Sequence, residues 1–217
     1  MRLKPSKLQD GANSARSDDI SRIRANLASW LNKRCGSDPL DPEDRVNRGL
    51  QHDVCGKLLC PIDFNWDDLD IRAAIRNGTS ASNINDSFFL RCLYQNDTGN
   101  PEDLQHGFLR NILLRKMNGK VTGRSIAYTA VILVFNLTDA VQWTECHNGF
   151  DFRAFYEFIV DYFEDPRDNS SRQRVKALLQ FWNRSVFPGR VATGDTRASS
   201  KRLASQCSSG DSMQTTL

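Results

Sequence analysis

The chain has 217 residues, a net charge of +3 and six cysteines. This length is enough for one domain whose hydrophobic core needs no disulfide or metal to hold it. The most apolar stretch, residues 126–137, is about half the roughly 20 residues needed to cross a bilayer, which excludes a membrane span.

Residues 1–10 lack the apolar run of a secretory signal, so we expect an intracellular protein, in the cytoplasm or nucleus, with reduced cysteines. We divide the chain into a flexible N-terminal segment, 1–16, a helical domain, 17–188, and a disordered tail, 189–217. The tail is mostly Gly, Ser, Thr, Ala and charge, and it buries too little apolar surface to recover the entropy of ordering.

The first predicted helix begins with Ser17 as its N-cap and an acidic first turn. Gly36, Pro39 and Pro42 follow it and break the helical pattern. Its apolar face is spaced at three and four residues and consists of Ile20, Ile23, Leu27, Trp30 and Leu31.

Two shorter helices are predicted next. One runs from about Asp44 to the stop at Pro61, because proline cannot continue a helix. The other is capped by Asp67 or Asp68 and ends before Gly78, the expected residue just past a helix C-terminus.

The middle of the chain carries two further helix signals. Asp86 is predicted to open a helix over 88–94, and Asn100 followed by Pro101 is a typical helix start. The apolar face of the second consists of Leu104, Phe108, Ile112 and Leu113.

Two long helices follow, capped near Thr122 or Ser125 and within 148–151, and a last one runs from about Ser171 to Pro188. No sustained alternation of apolar and polar residues predicts a sheet. The sequence therefore predicts an all-α single globular domain of about seven or eight helices around a buried central helix, 126–137.

Charge is segregated along the chain. Residues 105–125 contain five basic residues and no acid, whereas 139–168 is acidic. The basic stretch predicts either nucleic-acid contact or a structural role, in which cations complement a helix C-terminus and pair with the acidic helix. The candidate nucleic-acid contacts are Arg110, Arg115, Lys116, Lys120 and Arg124.

One group of residues raises the question of zinc. His52, Cys55 and Cys60 lie close in sequence, and Cys92 or the pair 146–147 could complete a set of four. The spacing fits none of the common zinc motifs, and the cysteines lie among leucines, where they behave as core residues. No nucleophile–base or phosphate-loop motif occurs, so we predict no catalytic residue, cofactor or metal.

Four large aromatic residues lie near predicted helix ends beside charged residues. Each is either a lid on the core or an anchor for a partner, and the lid interpretation is favoured because large aromatics are mostly buried. They are Trp66, Trp143, Phe150 and Trp182.

The order and spacing of several blocks resemble a family of uncharacterised proteins expanded in mushroom-forming basidiomycete fungi, a domain of unknown function. The blocks are 56–61, 67–78, 89–94, 124–128, 137–143, 155–164 and 181–188. The resemblance covers about 14–188 and implies no catalytic residues. Relatives often carry a long charged insertion before the block 124–128, where this chain has only 117–123, so any nuclear targeting or nucleic-acid contact that the insertion supplies would be absent here.

Three hypotheses for function follow. The first is a non-enzymatic protein-interaction domain with an unidentified protein partner. The second is a nucleic-acid-associated protein that uses the basic stretch 110–124. The third is an enzyme whose site is assembled from residues distant in sequence.

Overall fold

The structure is a computed structural model that describes residues 5–36, 38–79 and 88–188. Within these ranges it contains seven α-helices and one short antiparallel hairpin, which confirms the predicted all-α single domain. The elements are α1 (Pro5–Leu31), α2 (Asp53–Leu59), α3 (Leu69–Arg76), α4 (Ile112–Met117), α5 (Gly123–Leu137), β1 (Cys146–His147), β2 (Phe150–Asp151), α6 (Phe152–Glu164) and α7 (Asn169–Val186). The predicted tail, 189–217, lies outside the described residues.

Helix α5 is the centre of the fold, as predicted. It contacts α1, α2, α4 and α6, and between residues 126 and 137 only Tyr128 is more than marginally exposed. A helix that is apolar on all sides must be buried on all sides. Its start is a capping box, because the Ser125 amide donates to Thr122 Oγ1 and the Thr122 amide donates to Ser125 Oγ, both at 3.1 Å.

Two buried arginines close the other end of α5. Arg45 donates to the Phe135 carbonyl at 2.7 Å, and Arg48 donates to the Asn136 carbonyl at 2.8 Å. The last carbonyls of a helix have no partner within it and carry partial negative charge, so cations stabilise them. Burial lowers the pKa of Arg45 to about 10, which still leaves it charged at neutral pH.

Helix α6 packs its aromatic face against α5 and the chain around 88–108. Phe155 and Phe158 lie with their ring centroids 5.5 and 5.4 Å from Phe88. Helix α7 is fixed by Trp182, whose indole nitrogen donates to the Leu109 carbonyl at 3.0 Å. Asp168 caps α7, so the helix begins slightly before the predicted Ser171.

The start of the first helix differs from the prediction. Helix α1 begins at Pro5, so Ser17 lies inside it and is not its N-cap. The predicted apolar face is confirmed, because Ile20, Ile23 and Leu27 are buried with Leu31 against the core. The flexibility of 1–16 and its boundary at residue 17 stay predictions, and residues 1–4 lie outside the described residues.

Helix α2 also begins elsewhere than predicted. Asp44 does not open a helix; its carboxylate accepts from the Val46 amide at 2.9 Å in a local turn. The cap of α2 is His52, whose Nδ1 accepts from two backbone amides. For α3 the prediction is confirmed: Asp68 is the N-cap, and Gly78 follows the helix with a φ of +63°.

The helix predicted over 88–94 is wrong for the described residues, which contain only a single 3₁₀ turn, Arg91–Leu93. Its predicted first residue, Asp86, lies outside the described residues. The backbone hydrogen bonds here go to a distant segment: Ile62 donates to Phe89, and Arg91 donates to Cys60, both at 3.1 Å. This pairing holds the chain extended beside Pro61.

The helix predicted to begin at Asn100 is also wrong. Residues 101–110 form successive turns, in which Gly107 and Leu109 have φ values of +74° and +54°. A residue with a positive φ interrupts a right-handed helix, so this segment cannot be helical although its apolar residues have helical spacing. Helix α4 begins only at Ile112, with Asn111 as its N-cap.

The hairpin corrects the prediction that no sheet forms. Asn148 and Gly149 have φ values of +49° and +84° and form the two-residue loop between β1 and β2. Asn-Gly is the preferred sequence for this kind of tight hairpin turn. Asp151, at the end of the predicted cap window, then caps α6.

Candidate functional site

The residues considered for zinc do not converge. The Val54 and Cys55 amides donate to His52 Nδ1 at 3.2 Å, and Nε2 lies 3.1 Å from the Asp38 carbonyl. Both ring nitrogens of His52 are therefore used in holding α2 and the preceding loop. Cys60 lies in a separate apolar cluster with Trp66.

The buried thiols are held in their protonated form. Burial raises the pKa of Cys55 to about 12 and also raises the pKa values of Cys60 and Cys92. A thiolate is the form that ligates metals and attacks substrates, so these three behave as core residues at neutral pH. Among residues 5–36, 38–79 and 88–188, no three His, Cys, Asp or Glu side chains lie where they could hold a metal ion together.

Three basic residues of the predicted stretch lie over aromatic rings. The guanidinium carbons of Arg110 and Arg115 are 4.9 and 5.3 Å from the Phe181 centroid, and Lys116 Nζ is 5.1 Å from that of Trp30. Arg115 and Lys116 also lie in the last turn of α4, where the helix dipole favours cations. Arg115 and Lys116 thus lie at a helix C-terminus, as the structural interpretation predicts.

The other two basic residues differ from each other. Arg124 binds Glu164 through two hydrogen bonds of 2.7 and 2.8 Å, which join α5 to the acidic α6 as predicted. Lys120 is exposed in the turn before α5. We name the surface of Trp30, Arg110, Arg115, Lys116 and Phe181 the basic–aromatic face; its contact with nucleic acid stays a prediction.

The lid interpretation is confirmed for three of the four aromatic residues. Trp66, Phe150 and Trp182 are buried. Trp143 is only half-buried: one side of its ring packs on Phe135 at a centroid distance of 5.1 Å.

Trp143 lies in a groove of about 490 Å³ between α1, α5 and α6. The guanidinium carbon of Arg16 is 4.8 Å from the Trp143 centroid, and Arg153 and Glu145 stand at the rim. Tyr156 lines the same groove from α6. We name this site the Trp143 groove; it combines an aromatic floor with charged edges.

A second concave site lies at the C-terminal end of α5, with a volume of about 320 Å³. Its apolar wall includes Leu50, Ile75 and Phe150, and at its edge His147 Nε2 is 2.7 Å from Asp139 Oδ1. We name it the Asp139–His147 cavity.

In the sequence, His147 is only a possible fourth zinc ligand, and no local pattern pairs it with Asp139. The pairing depends on the hairpin, because β1 carries His147 back toward the end of α5. The available signal was the dipeptide Asn148–Gly149, which predicts a two-residue hairpin loop and hence a strand on either side.

Comparison with known proteins identifies a family. The model of a family described as "Family of unknown function (DUF6698)" matches residues 10–118 and 111–187. No curated protein and no solved structure matches the chain. Within the described part of the chain, the helices are too short or too polar to span a bilayer.

Proposed function

Since the chain belongs to the family of unknown function DUF6698, we propose from its geometry that it is a non-enzymatic protein-interaction domain. The proposal includes an intracellular location and a basidiomycete source, and it assigns the partner to the Trp143 groove. The observation that carries it is the half-buried ring of Trp143, which lines a groove together with two arginines.

The tryptophans near the helix ends differ in burial. Trp66 and Trp182 are buried in the core, whereas Trp143 exposes part of its ring on a concave surface. Tryptophan and arginine are the residues most enriched where binding energy concentrates in protein interfaces. An aromatic floor that stays partly open therefore favours a partner side chain.

The charged residues of the groove indicate the chemistry of its occupant. Arg16 lies on the Trp143 ring, and Arg153 lines the same groove and has an exposed partner, Glu157, at 3.2 Å. Exposed pairs of this kind are weak and exchange readily. The groove therefore fits a peptide segment that places an apolar side chain beside Trp143 and a carboxylate beside the two guanidinium groups.

The experiment is a selection of random displayed peptides against the full chain, followed by affinity measurement with purified peptides. We expect selected sequences in which an aliphatic or aromatic residue neighbours Asp or Glu. Trp143→Ala should weaken their binding by roughly tenfold or more, as for a residue at the centre of an interface. Arg16→Ala should weaken the acidic peptides more than their Asn or Gln analogues.

The matched control is Val141→Ala, because Val141 is an apolar residue of the same loop and is 67% exposed, yet lies outside the groove. It should leave peptide binding unchanged. Equal binding to wild type and Trp143→Ala, with the fold preserved by circular dichroism, would remove the groove from the proposal.

A second candidate function is nucleic-acid binding through the basic–aromatic face. The specific observation in its favour is that Arg110 and Arg115 flank the half-exposed ring of Phe181, while Lys116 covers Trp30. Cations interleaved with aromatic rings suit phosphates and unstacked bases.

A gel shift with single-stranded and double-stranded probes at several salt concentrations tests this candidate. We expect affinity to fall with salt and the salt dependence to decrease when Arg115, Lys116 and Lys120 are replaced by Ala. Arg22→Ala, on the exposed side of α1, is the control for loss of charge alone. Binding that does not change with salt concentration, or that the triple variant retains in full, would contradict this function.

A further inference from the structure

The Asp139–His147 cavity lies where segments far apart in sequence meet. A 3₁₀ turn, Gly49–Gln51, the end of α3, the end of α5 and the hairpin all contribute to its wall. Its apolar lining includes Leu50, Ile75, Leu90, Val134 and Phe150. A volume of about 320 Å³ is at the lower end of the range for small-molecule sites.

The contact with Asp139 favours one tautomer of the imidazole. Asp139 Oδ1 lies 2.7 Å from His147 Nε2, and a carboxylate accepts, so this contact favours a proton on Nε2 of the neutral ring. The Asn148 side-chain nitrogen is 3.2 Å from the same Nε2 and is itself a donor, so it makes no hydrogen bond with the ring in this tautomer. Nδ1 makes no hydrogen bond within the described residues and presents a lone pair.

Asp139 lies against the backbone of Gly49. Gly49 has a φ of +73°, which favours glycine, and a Cβ added there would be in ordinary van der Waals contact with Asp139, 3.4 Å from its carboxylate carbon and backbone nitrogen. The Asp139 side chain is 42% exposed, and its hydrogen bond orients the half-buried His147 ring.

The charged groups that line the cavity are already paired with other groups of the chain. Asp139 accepts from His147, and Arg76 also lines the cavity. The Arg76 guanidinium is committed to the Leu50 and Gln51 carbonyls, each at 3.0 Å, and to Asp53 at 2.6 Å. An apolar wall also disfavours any charged group that is not paired.

We propose that this cavity binds a small, mostly apolar and uncharged molecule that carries a hydroxyl group, and that the hydroxyl donates its hydrogen bond to Nδ1 of His147. The site is separate from the Trp143 groove and does not depend on a protein partner. The proposal rests on the cavity, on the hydrogen bond between Asp139 and His147, and on the pairing of the charged groups that line the cavity.

The test uses phenol and toluene as probes, because they share one apolar ring and differ in the hydroxyl. Nitrogen-15 NMR of the imidazole side chains of the full chain reports both the tautomer and the contact. We expect His147 to carry its proton on Nε2 and its Nδ1 resonance to shift saturably with phenol and not with toluene. Phenol should bind roughly fivefold to tenfold more tightly than toluene, the value of one net hydrogen bond.

His147→Gln should reduce phenol affinity to that of toluene, whereas His106→Gln, an exposed position outside the cavity, should leave it unchanged. If His147→Gln fails to fold, Asp139→Leu replaces it and should reduce the preference for phenol over toluene, because it removes the acceptor that favours a proton on Nε2. A proton on Nδ1, no saturable phenol binding, or equal affinity for the two probes would overturn the proposal.

Discussion

Replacing Arg48 with Met tests whether buried guanidinium groups hold the C-terminal end of α5. Arg48 is 1% exposed and donates four hydrogen bonds to backbone carbonyls. Methionine fills a similar volume and donates none, so the variant removes the donors without opening a large cavity.

The two shortest of these bonds reach Asn136 at 2.8 Å and Asp41 at 3.0 Å. Hydrogen bonds to a charged group contribute roughly 1.5–3 kcal/mol each, so these two contribute roughly 3–6 kcal/mol together. Removing a buried charge also removes its desolvation penalty, which offsets part of the loss. We expect Arg48→Met to lower the free energy of unfolding by about 3 kcal/mol.

The assay is urea unfolding followed by circular dichroism and tryptophan fluorescence. A loss of about 3 kcal/mol corresponds to a fall of roughly 6–12 °C in the thermal midpoint for a domain of this size. Arg22→Met is the control, because Arg22 is exposed and forms only a surface ion pair with Asp19 at 2.9 Å; its effect should stay within about 0.5 kcal/mol. Equal stabilities of the two variants would refute the role assigned to Arg48.

Three further predictions concern caps and close packing. His52→Ala should lower the free energy of unfolding by about 1 kcal/mol, because α2 loses its cap, whereas His52→Asn retains a capping side chain. Urea unfolding compares the two variants, and identical losses would contradict the role of His52 as the cap. Gly56→Ala should destabilise the protein by roughly 1–3 kcal/mol or more, because the new Cβ would lie 2.6 Å from Trp66 Cζ2. Gly119 faces open space, so Gly119→Ala should leave the stability unchanged, and thermal unfolding compares the two variants. The Ser171 amide holds the pKa of Asp168 below its ordinary value, so the cap of α7 stabilises above the unfolded-state pKa and is lost as pH falls through the lowered folded-state pKa. Thermal midpoints of wild type and Asp168→Asn, followed from neutral pH into acid, should converge; a constant difference would show that the carboxylate charge is not involved.

Local signals were sufficient where a helix satisfies its own backbone. The predicted caps near Thr122 or Ser125 and at Asp67 or Asp68, with the uniformly apolar run 126–137, placed α3 and α5 correctly. Each of these signals acts within a few residues, so no distant contact was needed to read it. The same reasoning found the apolar face of α1.

Local signals failed where the backbone binds a distant segment or adopts a positive φ. The helix predicted over 88–94 does not form, because Ile62 and Arg91 form backbone hydrogen bonds between this segment and residues 60–62. The helix predicted from Asn100 does not form, because Leu109 has a positive φ. The spacing of apolar residues does not predict such a partner, because the hydrogen bond depends on where another part of the chain lies.

The candidate sites show the same division. The sequence by itself determined which residues are basic, aromatic or able to cap a helix, and so identified Trp143 and the stretch 110–124. Only the tertiary structure decided that Trp143 stays half-open, that Arg110 and Arg115 lie over Phe181, and that Asp139 meets His147. These arrangements arise from the packing of α4 on α7 and from the return of the hairpin to the end of α5, and both depend on long-range contacts that burial of the core fixes.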